Sequence, residues 1–192
     1  MPPPMSFRTS RSDLGKLRHC GTDVRIAETV VIKYPDLVSI GNHVAIDDFC
    51  CISTGLEIGD YVHISPLCSI IGGRKSRCVL REFSGLSAGC RLVCGSDEYN
   101  GTGLTNPTVP AAYHCELKIA PVTLEKHVIL GTNCVVHPGV TVGEGAAVGS
   151  CTLITRDLDP WMVYVGVPAK PVRERPRDQI IEMEERLRRE LG

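Results

Sequence analysis

Residues 38–70 read VSIGNHVAIDDFCCISTGLEIGDYVHISPLCSI, and isoleucine recurs at every sixth position of this stretch from Ile40 to Ile70. The same rhythm extends back to Ile26, and beyond residue 70 it resumes with other aliphatic residues: Leu80, Leu86, Leu92, Leu124, Leu130, Val136, Val142, Val148 and Ile154. A period of six fits neither an amphipathic helix nor a simple alternating strand over such a length. It is typical of a solenoid in which three short strands make one triangular coil. We therefore predict an all-β solenoid.

A second position, two residues before each of these aliphatic residues, takes only small or aliphatic side chains. Cysteine fills it five times, at Cys50, Cys68, Cys78, Cys90 and Cys134. Free cysteine behaves as a small buried hydrophobe, and no Cys-x-x-Cys spacing suggests zinc. We interpret these cysteines as inward-facing structural thiols and assign no metal site. Many reduced thiols also favour a cytoplasmic protein.

The composition excludes several classes of partner. The formal charge is only -1, so neither nucleic acid nor an anionic membrane is expected as a general partner. There is no run of about 18 apolar residues that would predict a spanning helix. The first residues lack the apolar stretch of a secretory signal.

Breaks in the rhythm divide the chain. We expect an irregular lead-in over residues 1–23, a solenoid over 24–156, and a tail with a capping helix over 157–192. One long external loop, at about 95–120, interrupts the solenoid, and loops of this length in regular arrays are usually functional. A smaller insertion lies at residues 72–77. Ile180, Met183 and Leu187 form the apolar stripe of the helix, which we expect either to cap the open end or to pack on a neighbouring subunit.

Three stretches carry a family resemblance: GTNCVVHPGV at 131–140, VGEGAAVGS at 142–150 and VGVPAKPVR at 165–173. With the hexads and the single long loop, they resemble the left-handed β-helix (hexapeptide-repeat) acyltransferases. Within that family the chain is similar to the O- and N-acetyltransferases that modify surface polysaccharides or their nucleotide-sugar precursors. The resemblance implies left-handed coils, a homotrimer with active sites between adjacent subunits, and a sugar or nucleotide-sugar acceptor.

The resemblance also implies acetyl-CoA as co-substrate, lying along the C-terminal coils. Small residues there would let the pantetheine arm approach the backbone, and two basic residues would lie near the phosphates. The coenzyme contacts implied in this way are Gly131, Thr132, Gly149, Ser150, Lys170 and Arg173.

The transfer reaction needs a group that accepts the proton of the attacking hydroxyl or amine. His63 lies between two inward residues, so alternation points it out of a flat face, and it precedes the 72–77 insertion, which could line the same cleft. His43 and His127 fall in the turn register and are expected to be solvated. His114 on the long loop and His137 near the coenzyme channel stay open as alternatives.

Many related sugar O-acetyltransferases place a histidine just after the last strand before the long loop. This chain has no histidine there, and Asp97 falls closest to that position. The departure favours an amino-sugar acceptor, because an amine delivered neutral attacks without a strong base. We therefore predict His63 and Asp97 as the catalytic residues.

Two other classes of function remain as alternatives. One is a non-catalytic trimeric scaffold. The other is a metal enzyme of the carbonic-anhydrase type on the same fold, which needs three converging histidines, two of them five residues apart; no two histidines here have that spacing.

Overall fold

The computed structural model describes residues 15–191. Short parallel strands stack into a three-sided solenoid, and one of its sides, the first face, is an eight-stranded sheet. The strands of this face, in spatial order, are β2 (Arg25–Ile26), β5 (Ala45–Ile46), β7 (His63–Ile64), β9 (Gly85–Leu86), β14 (Ile129–Leu130), β17 (Ala147–Val148), β19 (Met162–Val165) and β20 (Lys170–Glu174). All pairs are parallel except the last, a hairpin of β19 and β20.

The other two sides form one ten-stranded sheet, because two long strands bend around the corner between them. These are β6 (Cys51–Ile58) and β8 (Ser69–Leu80). The second face consists of the first halves of β6 and β8 together with four short strands: β3 (Val31–Ile32), β10 (Arg91–Val93), β15 (Val135–Val136) and β18 (Leu153–Ile154). The third face consists of the second halves of β6 and β8 together with four short strands: β1 (His19–Cys20), β4 (Val38–Ile40), β13 (Val122–Leu124) and β16 (Thr141–Val142).

The six-residue rhythm places the aliphatic residues inside the solenoid. Ile40, Ile64, Leu92 and Leu130 are 0% exposed, and each stacks on its equivalents in the coils above and below. The predicted inward cysteines are confirmed, since all five are at most 2% exposed. Burial raises the pKa of the Cys78 thiol well above its usual value, so this thiol stays protonated and inert. The predicted solenoid is confirmed.

One corner of the solenoid carries a stack of rings. His43, Tyr61, Phe83, His127 and Trp161 follow one another with ring centroids 4.7, 4.9, 5.2 and 6.0 Å apart. All five have positive φ, the conformation in which the chain turns this corner. His43 is exposed as expected, but the expectation for His127 is wrong. It is 7% exposed, because the rings on both sides and the C-terminal helix cover it.

The helix α1 (Asp178–Leu191) lies along this aromatic corner. Its Glu184 accepts hydrogen bonds from Lys126 Nζ (2.6 Å), His127 Nε2 (2.7 Å) and Arg188 Nε (2.7 Å). Arg188 also lies over the Phe83 ring. The predicted capping position is therefore wrong. The helix packs beside the middle coils, because the buried Glu184 carboxylate binds there, and it does not cover the open end of the solenoid.

The insertion at residues 72–77 continues strand β8 around the corner between the second and third faces. There Arg74 pairs with Asp36, which lies two coils earlier. His63 lies on the first face, so the insertion and His63 are on different sides of one chain, and a shared cleft between subunits stays a prediction. The part of the predicted lead-in before residue 15 lies outside the described residues. Within residues 15–191, no helix has the length and apolar character needed to cross a membrane.

Candidate active site

The long loop leaves the second face after β10 and returns to the third face at β13. Inside it, β11 (Gly95–Asp97) and β12 (Leu117–Ile119) form an antiparallel pair that holds the base of the loop together. Between this base and the second face lies a cavity of about 400 Å³, here called the loop pocket. Its described lining is Val93, Ser96, Asp97, Glu98, Tyr99, Asn100, Lys118, Val135, His137 and Pro138.

Asp97 ends strand β11 and is one of the residues that line the loop pocket. Its Oδ2 accepts the backbone N–H of Asn106 at 2.9 Å, which ties the far part of the loop to the carboxylate. Its Oδ1 lies 3.6 Å from His114 Nε2. The predicted position after the last strand before the loop therefore holds an anchored carboxylate on a pocket wall.

The same pocket brings in Glu98 and Lys118, which the sequence analysis assigned to no site, and His137, which it kept open as an alternative base. Glu98 adds a second carboxylate, and Lys118 and His137 add the basic groups. His137 follows β15 and its backbone N–H donates to Ile154 O at 2.9 Å, so the rigid coil fixes its place. A pocket with two carboxylates beside cationic and hydroxyl-bearing side chains suits a polar ligand with an amino group.

His63 points out of the first face, as alternation predicts. Its neighbours across the sheet, Ala45 and Gly85, are small, and the imidazole is 56% exposed. Its Nε2 donates to Asp47 Oδ2 at 2.7 Å. That bond assigns the ring hydrogen to Nε2 and leaves Nδ1 as the acceptor, the arrangement expected of an oriented general base. Asp47 was not identified from the sequence. The pattern that could have identified it is its position next to the outward-facing residues of the same face.

Within one chain the two predicted catalytic residues stand apart. His63 lies on β7 of the first face, whereas Asp97 lies on β11 beyond the end of β10 on the second face. The corner at Gly89 and Cys90 separates the two faces. If both residues act on one substrate, they must come from two copies of the chain.

Gly131 and Gly149 follow strands β14 and β17 on the first face. Their N–H groups donate to Val148 O (2.7 Å) and Tyr164 O (2.8 Å), so the coils themselves use these amides. A Cβ at Gly131 would lie 2.6 Å from Ser150 N, and one at Gly149 would lie 2.9 Å from Val165. Close stacking of the coils therefore explains both glycines.

Thr132 and Ser150 follow these glycines at the corner, where the carbonyl of Thr132 accepts the N–H of Cys151 at 2.8 Å. Lys170 and Arg173 lie on β20, and every residue of that strand is exposed. Arg173 also borders a cavity of about 670 Å³ between the hairpin and α1. The glycines, the corner residues and the basic hairpin all lie on the C-terminal coils, where the coenzyme was expected.

Comparison with known proteins identifies the family of this chain. Residues 121–156 match the family described as bacterial transferase hexapeptide (six repeats). The dTDP-4-amino-4,6-dideoxy-D-glucose acyltransferase of Escherichia coli is 36% identical over 167 residues, which are 85% of each chain. The chain belongs to the hexapeptide-repeat acyltransferases. With the family, the predicted left-handed β-helix and the predicted acyltransferase activity are confirmed.

Solved structures give the same answer. AntD, an N-acyltransferase from Bacillus cereus, superposes with a TM-score of 0.88 at 34% identity, covering 98% of this chain and 100% of AntD, and was solved with dTDP and coenzyme A. Further AntD structures contain 3-hydroxybutyryl-CoA or dTDP-4-amino-4,6-dideoxyglucose. A hexapeptide-repeat acetyltransferase from Vibrio cholerae, at 16% identity and a TM-score of 0.56, shares the fold. These relatives confirm the predicted class: acyl transfer from a CoA thioester to a nucleotide-linked sugar.

Proposed function

We propose that this enzyme acylates the 4-amino group of a dTDP-4-amino-4,6-dideoxy sugar. The observation that carries the proposal is the Asp97 carboxylate on the wall of the loop pocket, with Glu98 beside it. Such a pair attracts an amine and gives no advantage to a hydroxyl acceptor. The names and ligands of the two relatives support the same acceptor. The acyl group we expect is acetyl, with a longer chain as the alternative.

Asp97 would bind the amine and take its proton. The neutral nitrogen attacks the thioester carbon, forming the nitrogen–carbon bond, and the carbon–sulfur bond breaks to release coenzyme A. The proton lost from nitrogen passes to the Asp97 carboxylate, and backbone N–H groups stabilise the oxyanion. AntD supports this role for Asp97, because structures were solved of its variants at a serine and at an aspartate ten positions later.

In this chain, Ser87 and Asp97 are the serine and aspartate with that separation. Ser87 follows β9 on the first face, the face that carries His63, whereas Asp97 belongs to the loop beyond the second face. A homotrimer would set the first face of one subunit against the loop of the next. We therefore propose that His63 and Ser87 of one subunit and Asp97 of its neighbour act on one substrate.

The coenzyme would lie along the C-terminal coils. In that position its pantetheine arm passes Gly131, Thr132, Gly149 and Ser150. The Gly131 and Gly149 amides are committed to the coils, so the N–H groups of Thr132 and Ser150 are the ones offered to the arm. Lys170 and Arg173 on the exposed hairpin strand would take the phosphates.

The biological setting follows from the substrate. Acylated dTDP-amino sugars are donors for glycans, and we propose that the product serves surface polysaccharide synthesis. A cytoplasmic location fits the ten free cysteines. A carbonic-anhydrase-like enzyme requires two histidines five residues apart, and the sequence has no such pair.

The test is a mass-spectrometric assay with acetyl-CoA or 3-hydroxybutyryl-CoA and either dTDP-4-amino-4,6-dideoxyglucose or its 4-hydroxy analogue. We expect one acyl group added to the amino sugar alone. Asp97→Asn should lower kcat by at least about a hundredfold, the usual scale for a proton acceptor. Glu116→Gln, which changes an exposed carboxylate of the same loop that does not line the pocket, is the matched control and should keep the wild-type kcat. Acylation of the hydroxyl analogue alone, or an Asp97→Asn enzyme at wild-type rate, would overturn the proposal.

A further inference from the structure

His114 stands behind Asp97 as seen from the loop pocket. Asp97 forms part of the pocket wall, whereas His114 is outside the set of described residues that line it. The imidazole Nε2 nevertheless lies 3.6 Å from Asp97 Oδ1. A ligand in the pocket would therefore meet the carboxylate first and the imidazole only through it.

The backbone fixes which nitrogen of His114 carries a hydrogen. Its Nδ1 lies 2.8 Å from the carbonyl oxygen of Cys115. A carbonyl oxygen only accepts hydrogen bonds, so Nδ1 must be the donor. In the neutral ring, Nε2 then holds a lone pair directed at the carboxylate. Two acceptors facing each other repel, and a proton between them removes the repulsion.

The surroundings protect this contact from solvent. The His114 side chain is 16% exposed and the Asp97 side chain 27%, so both are screened less than surface charges. Oδ2 of Asp97 is held by the Asn106 N–H, which leaves Oδ1 to face the imidazole. The separation is longer than a hydrogen bond and needs to close by less than about 1 Å to become one, as catalytic contacts in unliganded enzymes often do.

We propose that His114 is a positioning residue that acts through Asp97, receiving the proton that Asp97 takes from the acceptor amine. The inference rests on the proposed acyl transfer to an amine. The proton moves from nitrogen to Asp97 and on to His114 Nε2, while coenzyme A leaves as the thiolate. The proton returns to the thiolate sulfur through solvent, so neither a metal nor a further reactant is needed. Asp97 is thereby restored as a carboxylate for the next turnover.

The first test is His114→Asn. The asparagine amide nitrogen can occupy the place of Nδ1 and keep the bond to Cys115, while no atom replaces Nε2. We expect kcat to fall at least about a hundredfold, the lower end of the range for one lost proton-transfer group, with KM for both substrates changed less than about twofold. His43→Asn, which changes a histidine on the aromatic corner far from the loop, is the control and should keep the wild-type kcat.

The second test separates proton transfer from packing. In His114→Ala, added imidazole should restore activity, and 1,2,4-triazole, which has nearly the same shape but is a far weaker base, should not. Equal rescue by both compounds, or a kcat for His114→Asn within threefold of wild type, would overturn the role. A wild-type enzyme that acylates no amino sugar would instead remove the proposed function and this inference together.

Discussion

His63 shows how one outward position on a flat face becomes a candidate base. The ring leaves a strand whose neighbours are alanine and glycine, so it has room to turn. Asp47, one coil below, accepts the hydrogen of Nε2 at 2.7 Å. A carboxylate in this position would stabilise the imidazolium if His63, the alternative to Asp97 as proton acceptor, took the proton at Nδ1.

We expect His63→Ala to lower kcat at least about a hundredfold while the dissociation constant for coenzyme A stays unchanged, because the coenzyme residues lie on other coils. Steady-state kinetics and calorimetric titration with coenzyme A measure the two effects. Asp47→Asn should keep the hydrogen bond to His63 Nε2 but not the negative charge, so kcat should fall less than it does in His63→Ala. A loss below about threefold for His63→Ala would remove it from the mechanism.

For single residues, the sequence predicted the features that the six-residue period determines and missed those that depend on the fold of the long loop. The outward direction of His63 and the burial of five cysteines follow from strand alternation, which the hexads determine. The partner of Asp97 could not be found, because His114 approaches it only through the irregular fold of the loop. Likewise, nothing in the sequence singled out Ser87 among the polar residues of its face. It was noticed because the serine and the aspartate that were varied in AntD are ten positions apart.

The helix α1 owes its position to one carboxylate. Burial by itself would raise the pKa of Glu184, but the hydrogen bonds from Lys126, Arg188 and His127 outweigh it and hold this pKa at about 2. The folded state therefore binds fewer protons than the unfolded state as the pH falls from about 4.5 to about 2. The stability that the carboxylate contributes is complete above that window and is lost within it.

We expect Glu184→Gln to lower the free energy of unfolding at pH 7 by about 3 kcal/mol, because the buried His127 and the partly buried Lys126 lose a charged acceptor. The difference from wild type should shrink as the pH approaches about 2.5. Urea unfolding at fixed protein concentration measures it, with Glu182→Gln, an exposed change on the same helix, as the control. A difference that stays constant from pH 7 to 2.5 would show that the charge of Glu184 does not anchor the helix.

The helix also shows where sequence reasoning about elements stops. Its amphipathic period predicted that it exists and which face is apolar. Its docking site depended on Glu184 meeting Lys126 and His127, more than fifty residues away in sequence. No periodic signal links those positions, and the turn register made His127 look solvated. The stacked rings that bury it arise only when successive corners align in three dimensions.

The solenoid holds the two predicted catalytic residues, His63 and Asp97, on different faces. The rhythm that predicts the coils says nothing of how two solenoids meet, so the assembled site was implied only by the family resemblance. If both residues act on one substrate, as proposed, a second subunit has to supply one of them. His63 and Asp97 lie on opposite sides of a corner that no loop motion removes, because intercoil hydrogen bonds fix it.

This separation predicts complementation between two inactive enzymes. His63→Ala and Asp97→Asn trimers should each show little activity. In a trimer that contains both chains, a complete site forms where a chain with intact His63 meets a neighbour with intact Asp97. Every such trimer has one junction of this kind among its three, so about one third of the sites should be active in the purified mixed species. Co-expression with two affinity tags, purification of the mixed species and measurement of kcat per trimer provide the test. If both residues acted within one chain, no mixture could hold a complete site, and activity would stay at the level of the parent variants.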